Sequence, residues 1–251
     1  MNKSASQKPH VLITAGTTRE MIDQVRCWMN IFTGQTGLDI AMALLPTAHV
    51  TLVSSNSDHR RQFQAAIEAA GDVQSAAIGF QTHQELLDLL SRLVSATAYA
   101  AAIMTAAVSD YRPDGAFEIL SSWEIQGGAA AEYHWIVRRV DRAKIRSEHK
   151  QIAFRGIPTE KIIDRFRGEW SFGGLLVKFK LEVDMATGEL LKTANRSRLS
   201  SGADLIVANT LEMVCGPEPK AWLIDDFEQR CVPRADLAAA LRDYLFKHFR
   251  R

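Results

Sequence analysis

The sequence predicts an α/β fold built on a mostly parallel sheet covered by helices on both faces. Short apolar runs rich in β-branched residues recur along the 251 residues, and segments with helical apolar spacing separate several of them. Two Gly- and hydroxyl-rich turns directly follow such runs. In an open parallel sheet, ligands bind outside the carboxyl ends of the strands, so the two turns are expected to form opposite walls of one crevice for a phosphorylated small molecule.

The elements are read in chain order. Strands are expected at 10–15, 49–54, 101–104, 175–181, 203–208 and 222–225. Segment 37–45 sets Leu38, Ala41, Leu44 and Leu45 on one helical face, and 84–94 does the same with Leu86, Leu87, Leu90 and Val94. A last amphipathic helix carries Leu237, Leu241, Tyr244, Leu245 and His248 after Pro233, with Asp236 near its start, where a carboxylate suits the helix dipole. Segment 114–143 breaks the pattern: Gly127, Gly128 and Ala129–Ala131 fill its middle, and Trp135-Ile136-Val137 is its only strand-like piece. It reads as an insertion, a flap or a dimer arm, within a single domain spanning 1–251.

Thirty basic residues against 29 acidic ones give a formal charge of +1, so no polyanion-binding field covers the molecule and a nucleic-acid partner is not expected. The amino-terminal residues lack the apolar core of a signal peptide, and no apolar run approaches membrane-spanning length. A cytoplasmic protein without membrane contact is expected. Cys27, Cys215 and Cys231 share no metal or CxxC spacing and read as reduced, mostly buried thiols. The seven His residues show no HExxH spacing, and no Gly-x-Ser-x-Gly elbow is present.

The first turn, Thr14-Ala15-Gly16-Thr17-Thr18, leads through Asn30 and Thr33-Gly34 to Gly37 at the opening of the first clear helix. N–H groups at a helix start, approached closely where glycines lack side chains, can hold a phosphate, though the same glycines could simply shape tight turns. Asn30 could bond a substrate carbonyl or cap the helix. In the second turn, Ala106-Ala107-Val108-Ser109-Asp110, the carboxylate of Asp110 could orient a ribose or base, or close an Asx-turn. Arg138, Arg139, Arg142, Lys144, Arg146 and Lys150 concentrate positive charge, which is either a solvated face or a phosphate contact. Lys178 and Lys180 flank Phe179, and strand alternation sets the ring on the face opposite both.

Together these segments resemble the phosphopantothenate–cysteine ligases of coenzyme A biosynthesis over nearly the whole chain, from Val11 to the last helix. The likeness is carried by Thr14–Glu20 with Ile22-Asp23 and Val25-Arg26, by Asn30, Thr33-Gly34 and Gly37, by Ala106–Pro113, and by Lys144–Ser147. Phe179–Glu182 and Ala203–Asn209 complete it. The Phe-Lys-Leu-Glu form and the insertion after Tyr111 are most similar to the stand-alone ligases, with no flavin-binding decarboxylase domain ahead of them. The resemblance implies a Rossmann-like fold, a homodimer, and CTP or ATP with Mg2+ as co-substrates. It implies that the 4′-phosphopantothenate carboxylate is activated as an acyl nucleotidyl anhydride, which the amine of L-cysteine then attacks. It assigns Lys144 to formation of that intermediate by contact with the triphosphate, and Asn30 to holding the intermediate and supporting its conversion to product. Gly16, Thr17, Ala106, Ala107, Asp110, Lys144 and Phe179 fall at nucleotide positions, and Asn30, Thr33, Gly34 and Gly37 at phosphopantothenate positions. No metal ligand is assigned.

Several positions depart from the family pattern. Thr17 stands where a glycine is usual, and a β-branched residue would be strained there if the backbone needed positive φ. Ile31-Phe32 replaces a small polar pair, Gln35 replaces a lysine of some relatives, and Arg196 or Arg198 stands in for lysines of the fusion enzymes. These departures motivate one rival reading, a repurposed nucleotide-binding relative without catalysis. A second rival, an NAD(P)-dependent oxidoreductase, has only the strand, turn and helix pattern behind it, without a full GxGxxG.

Overall fold

The computed structural model describes residues 8–125, 132–141 and 143–249. The chain begins with β1 (His10–Ala15) and a small hairpin of β2 (Arg19–Met21) and β3 (Cys27–Met29). Next come α1 (Gln35–Leu44), β4 (His49–Ser54), α2 (Ser57–Ala70), β5 (Ala76–Gly79), α3 (His83–Ala96) and β6 (Ala101–Met104). Three antiparallel strands then leave the body as an arm: β7 (Tyr111–Ile125), β8 (Glu132–Arg139) and β9 (Ile152–Pro158). The chain returns through α4 (Ile162–Arg167), β10 (Leu175–Glu182), α5 (Thr187–Ser200), β11 (Leu205–Thr210), α6 (Leu211–Cys215), β12 (Lys220–Ile224), β13 (Gln229–Pro233) and α7 (Leu237–Phe249).

The central sheet has eight strands in the order β13-β12-β11-β10-β6-β1-β4-β5. The six from β11 to β5 are parallel, and β12 and β13 close one edge antiparallel. Strands covered on both faces read as unbroken apolar runs, as Val11-Leu12-Ile13 does. Val11 and Ile13 join the core beneath α1, α2 and α7, while Leu12 points into the core beneath α3 and α4. This is the expected Rossmann-like α/β sheet with helices on both faces. After β1 the chain builds β4 and β5 on one side, then crosses to build β6, β10 and β11 on the other. The order therefore reverses between β1 and β6, and a crevice opens there.

Three expectations change. The break at 114–143 lies within a longer arm running from Tyr111 to Pro158, and Trp135-Ile136-Val137 is not its only strand: β7 alone is 15 residues long. Its pattern was obscured because most of the arm is exposed and lacks one-sided burial, with Trp123, Tyr133, Trp135 and Ile136 each about half exposed. The Gly127–Ala131 stretch lies outside the described residues. The cysteines are free, but Cys215 and Cys231 are exposed and Cys27 is only partly covered, because the β12–β13 edge and the end of α6 face solvent.

One contact sets the site. Gly16, after β1, takes φ +83°, and Gly34, the residue before α1, takes φ +87°. A Cβ on Gly34 would lie 2.1 Å from the Gly16 nitrogen, so the amino end of α1 rests directly on the backbone leaving β1. Gly34→Ala is expected to cost about 2–4 kcal/mol from left-handed strain plus overpacking, read as a lowered urea midpoint at unchanged slope.

Candidate active site

The two Gly- and hydroxyl-rich turns are not opposite walls of the crevice: they are hydrogen-bonded to each other, because β1 and β6 are adjacent strands, and form a single wall. Ala107 donates its N–H to Gly16 O (2.9 Å), and Ala107 O accepts from Thr18 N (3.3 Å) and Thr17 Oγ1 (3.1 Å). The left-handed conformation falls on Gly16. Among the described residues other than glycine only Ser171 and Asp184 have positive φ, so Thr17 carries no such strain. The Thr17 side chain is buried and works within the wall: its hydroxyl also accepts from Asn30 N at 3.2 Å. Asn30 completes the set by donating Nδ2 to Ala107 O at 3.1 Å. It does not cap α1, whose first residue follows Gly34 without any side-chain cap.

Two adjoining chambers lie in front of this wall. The smaller, about 220 Å³, opens at the amino end of α1 and is lined by Gly34, Thr36, Phe179, Lys180, Asn209 and Arg234, with Gly16 and Thr33 at its edge. The first-turn N–H groups of Gln35 and Thr36 have no intrahelical acceptor, and the helix dipole adds positive potential there. Arg234, just after β13, donates Nη2 to Thr36 Oγ1 at 3.0 Å, so a guanidinium stands beside the helix end. The larger chamber, about 530 Å³, is lined by Asn30, Ser109, Asp110, Lys161, Asp164 and Lys178. Phe32, Ala106, Ala107, Phe179, Lys180 and Leu181 border both chambers and mark their junction. A more open depression of about 580 Å³ lies beyond them, with Asp184, Glu212 and Glu218 on its rim; that acidic rim is unsuited to a phosphate.

Asp110 is paired with Lys161, and both side chains are largely exposed, so the pair is an adjustable one of small net value. Lys178 is half-buried. Its Nζ donates to Ser197 O (3.1 Å) and Ser201 Oγ (3.2 Å) of the α5 end, and burial pushes its pKa down from the ordinary lysine value. Phe179 turns the other way and packs against the core beneath α1 and α7, as alternation requires.

The chambers thus gather Gly16, Asn30, Thr33, Gly34, Ala106, Ala107, Asp110 and Phe179. Three expected residues lie off their walls. Thr17 is buried behind them. Gly37 is buried in the packing of α1, where a Cβ would meet Ala15 Cβ and Thr105 Oγ1 at 2.6 Å. Lys144 is exposed on a segment tied to the β2–β3 turn, where Asp23 Oδ2 accepts from Ile145 N (3.1 Å), Ile145 O accepts from Arg26 Nη2 (2.7 Å) and Ala143 O accepts from Gln24 N (3.0 Å). Of the basic run around it, Arg138, Arg139 and Arg146 pair with Glu118, Asp141 and Glu148, and Arg142 lies outside the described residues. Sequence reading missed Arg234 and Lys161. Arg234 meets Thr36 across 198 positions, which no local pattern signals.

Comparisons with known proteins bear on the same region. Residues 6–120 match the family model described as "DNA/pantothenate metabolism flavoprotein C-terminal domain". The chain is similar to that domain over these residues. It is 30% identical over 241 residues to "Coenzyme A biosynthesis bifunctional protein CoaBC" of Thermococcus kodakarensis, covering 94% of this chain and 51% of that one. It is 27% identical over 208 residues to the protein of the same name from Bacillus subtilis, covering 81% and 40%. The chain spans about half the length of the curated relatives it matches or less. Among solved structures, the DNA/pantothenate metabolism flavoprotein from Streptococcus pneumoniae superposes with TM-score 0.76 at 24% identity, over 96% of this chain and 99% of that one. The Cab2 H337A mutant in complex with phosphopantothenate-cysteine gives TM-score 0.66 at 16% identity, over 99% and 91%. These two likenesses are of fold, over nearly the whole of this chain. No helix among the described residues is long and apolar enough to cross a membrane.

The tether of the Lys144 segment is testable. The N–H of Val25 above all, and also those of Ile145 and Arg26, hold the Asp23 carboxyl below its ordinary pKa against the burial that pushes it up. The tether's contribution is therefore full above the ordinary carboxylate range and is lost as pH falls through the lower folded value. Asp23→Ala leaves these three donors unpaired. Amide hydrogen exchange at Ile145 should speed up at least roughly tenfold at neutral pH, and unchanged exchange would sink the tether.

Proposed function

We propose that this domain joins 4′-phosphopantothenate to L-cysteine at the expense of CTP or ATP, in the cytoplasm. The observation that carries this reading is the pair of chambers meeting at Ala106, Ala107 and Phe179, each furnished with groups suited to an anion. Two phosphorylated substrates that must react with one another need such a junction. The nucleotide phosphates take the smaller chamber, because phosphates sit at the first helix's amino end where strand order reverses, and Arg234 and Lys180 reinforce that end. Phosphopantothenate takes the larger chamber, its carboxylate toward the junction. This places Gly34 with the nucleotide and Asp110 with phosphopantothenate, the reverse of the assignment that the family resemblance implies.

In the first step a carboxylate oxygen attacks the α-phosphorus, and the bond to the β-phosphate breaks with release of pyrophosphate. In the second, the cysteine nitrogen attacks the acyl carbon and the nucleoside monophosphate leaves. Asn30, fixed by Thr17 and Ala107, offers its amide oxygen to the acyl intermediate. Lys144 neutralises the triphosphate during the first step. It reaches the triphosphate by movement of its segment or from a second copy of the chain. The described residues hold no group of three His, Cys, Asp or Glu side chains suited to a metal, so Mg2+ entering with the nucleotide would be held mainly by the nucleotide itself and would offset its phosphate charge. A homodimer formed through the arm would cover the exposed Trp123, Trp135 and Ile136, since a hairpin with apolar side chains in water is marginal alone.

Pyrophosphate release with Mg2+ and 4′-phosphopantothenate, comparing CTP with ATP and cysteine with its absence, tests the reaction. Phosphopantothenoylcysteine, identified by mass spectrometry, is the expected product, and no pyrophosphate with either nucleotide would end this reading. Lys144→Ala should abolish pyrophosphate release, whereas Asn30→Asp should let the acyl nucleotide accumulate; normal turnover by both would remove the residue assignment. In sedimentation, the unaltered protein should run as a dimer and a Trp135→Glu, Ile136→Glu variant as a monomer. A monomeric unaltered protein would refute the arm's role.

A further inference from the structure

Lys178 has no part in the chemistry described so far, yet it lines the chamber assigned to the acyl substrate, one residue from the junction at Phe179. Among the described residues no carboxylate lies within ion-pair distance of its Nζ, whose two partners, Ser197 O and Ser201 Oγ, are both neutral oxygens. A neutral amine has two N–H bonds and one lone pair, whereas an ammonium has three N–H bonds. The two acceptors on α5 take two N–H bonds and leave the third tetrahedral position of Nζ, a lone pair in the amine, for the chamber.

The charged groups facing Lys178 come from several elements. Burial opposes its charge most. Asp164 of α4 favours the charge, while Lys180 of β10 and Lys161 before α4 oppose it, and the α5 end contributes only neutral acceptors. Its pKa is therefore displaced downward from the ordinary lysine value, which makes the amine form easier to reach.

The ligation supplies a proton to accept. Free cysteine carries an ammonium, which has no lone pair for attack on the acyl carbon. Resting on the ligase reading above, we infer that Lys178 is the general base that takes this proton as the cysteine nitrogen attacks. One ammonium proton moves to the Nζ lone pair, completing its third N–H. The freed nitrogen pair forms the C–N bond, the bond from acyl carbon to phosphate oxygen breaks with its electron pair leaving on that oxygen, and the second amine proton passes to the departing nucleoside monophosphate. Lys178 then returns its proton to water.

The test separates the two half-reactions. Enzyme, Mg2+, nucleotide and 4′-phosphopantothenate are mixed without cysteine until the acyl nucleotide forms; cysteine is then added, and amide formation is followed by rapid quench across pH. In the unaltered protein the rate should rise with pH and level off below the ordinary lysine pKa. Lys178→Met should still release pyrophosphate in the first mixing, which reports a folded protein, while amide formation falls by about 10²–10⁴-fold and loses the plateau. Lys178→Gln should behave alike, and Lys178→Arg, permanently charged, should not rescue the step. A Lys178→Met protein that keeps both rate and plateau would overturn the inference, as would one whose only defect is a raised KM for either substrate, the mark of a binding contact. Failure of the unaltered protein to form any acyl nucleotide is a different result, and it removes the ligase reading and this base together.

Discussion

The contact between Gly16 and Gly34 is the constraint on which the rest of the site depends. A helix start is useful to an anion only if its free N–H groups face the ligand, and these reach only about one turn. Two adjacent left-handed glycines bring α1 close enough for that turn to open at the sheet's reversal point. The neighbouring residues then lock around them. Ala107 O receives donors from Thr17, Thr18 and Asn30 at once, so the orientation of Asn30, the β1 turn and the β6 turn are fixed by one carbonyl. Shifting any of the three donors would disturb the other two.

Electrostatics sorts the cations into two groups. The chain is nearly neutral, and Arg138, Arg139 and Arg146 of the 138–150 run already have carboxylate partners, pairs worth about 0–1 kcal/mol each. Arg234 and Lys178 differ because their hydrogen-bond partners at the chambers are a hydroxyl in one case and a carbonyl and a hydroxyl in the other. Neither has to break an ion pair before it meets a ligand. A charge-assisted bond made by Arg234, about 1.5–3 kcal/mol, is a larger quantity than any surface pair in the arm.

Legibility of the fold in the sequence followed burial. β1, β4 and β6 could be read to the residue because both faces of each are covered and the apolar run has sharp ends. β11 is displaced by two residues from its expected span, since Ala203 is buried but precedes the ladder. The arm was illegible as strands because it does not bury one consistent face, and Pro113 and Gly115 interrupt its first half, where the pairing register also shifts. The two turns were legible as a crevice because their chemistry is local. Arg234 was not, because its place depends on β13 closing the far edge of the sheet, and Lys178 read as one of two strand lysines until α5 supplied its partners.

The departures from the family pattern look different once placed. Thr17 would be a defect only if its backbone were left-handed; that conformation belongs to Gly16, and the added hydroxyl instead joins two strand-end turns and positions Asn30. Phe32 stands where the resemblance expects a small polar residue in the turn before α1, but the N–H groups of Gln35 and Thr36 remain there, and Arg234 adds a charged donor beside them. The ring borders both chambers together with Phe179. On the ligase reading proposed above, apolar surface at that junction would keep water from competing with the amine, so a lost donor is exchanged for a drier reaction path. The same exchange fits Arg234 standing at the helix end of the smaller chamber and the two rings at the meeting point, where the one charged residue that borders both chambers, Lys180, is paired with Glu182.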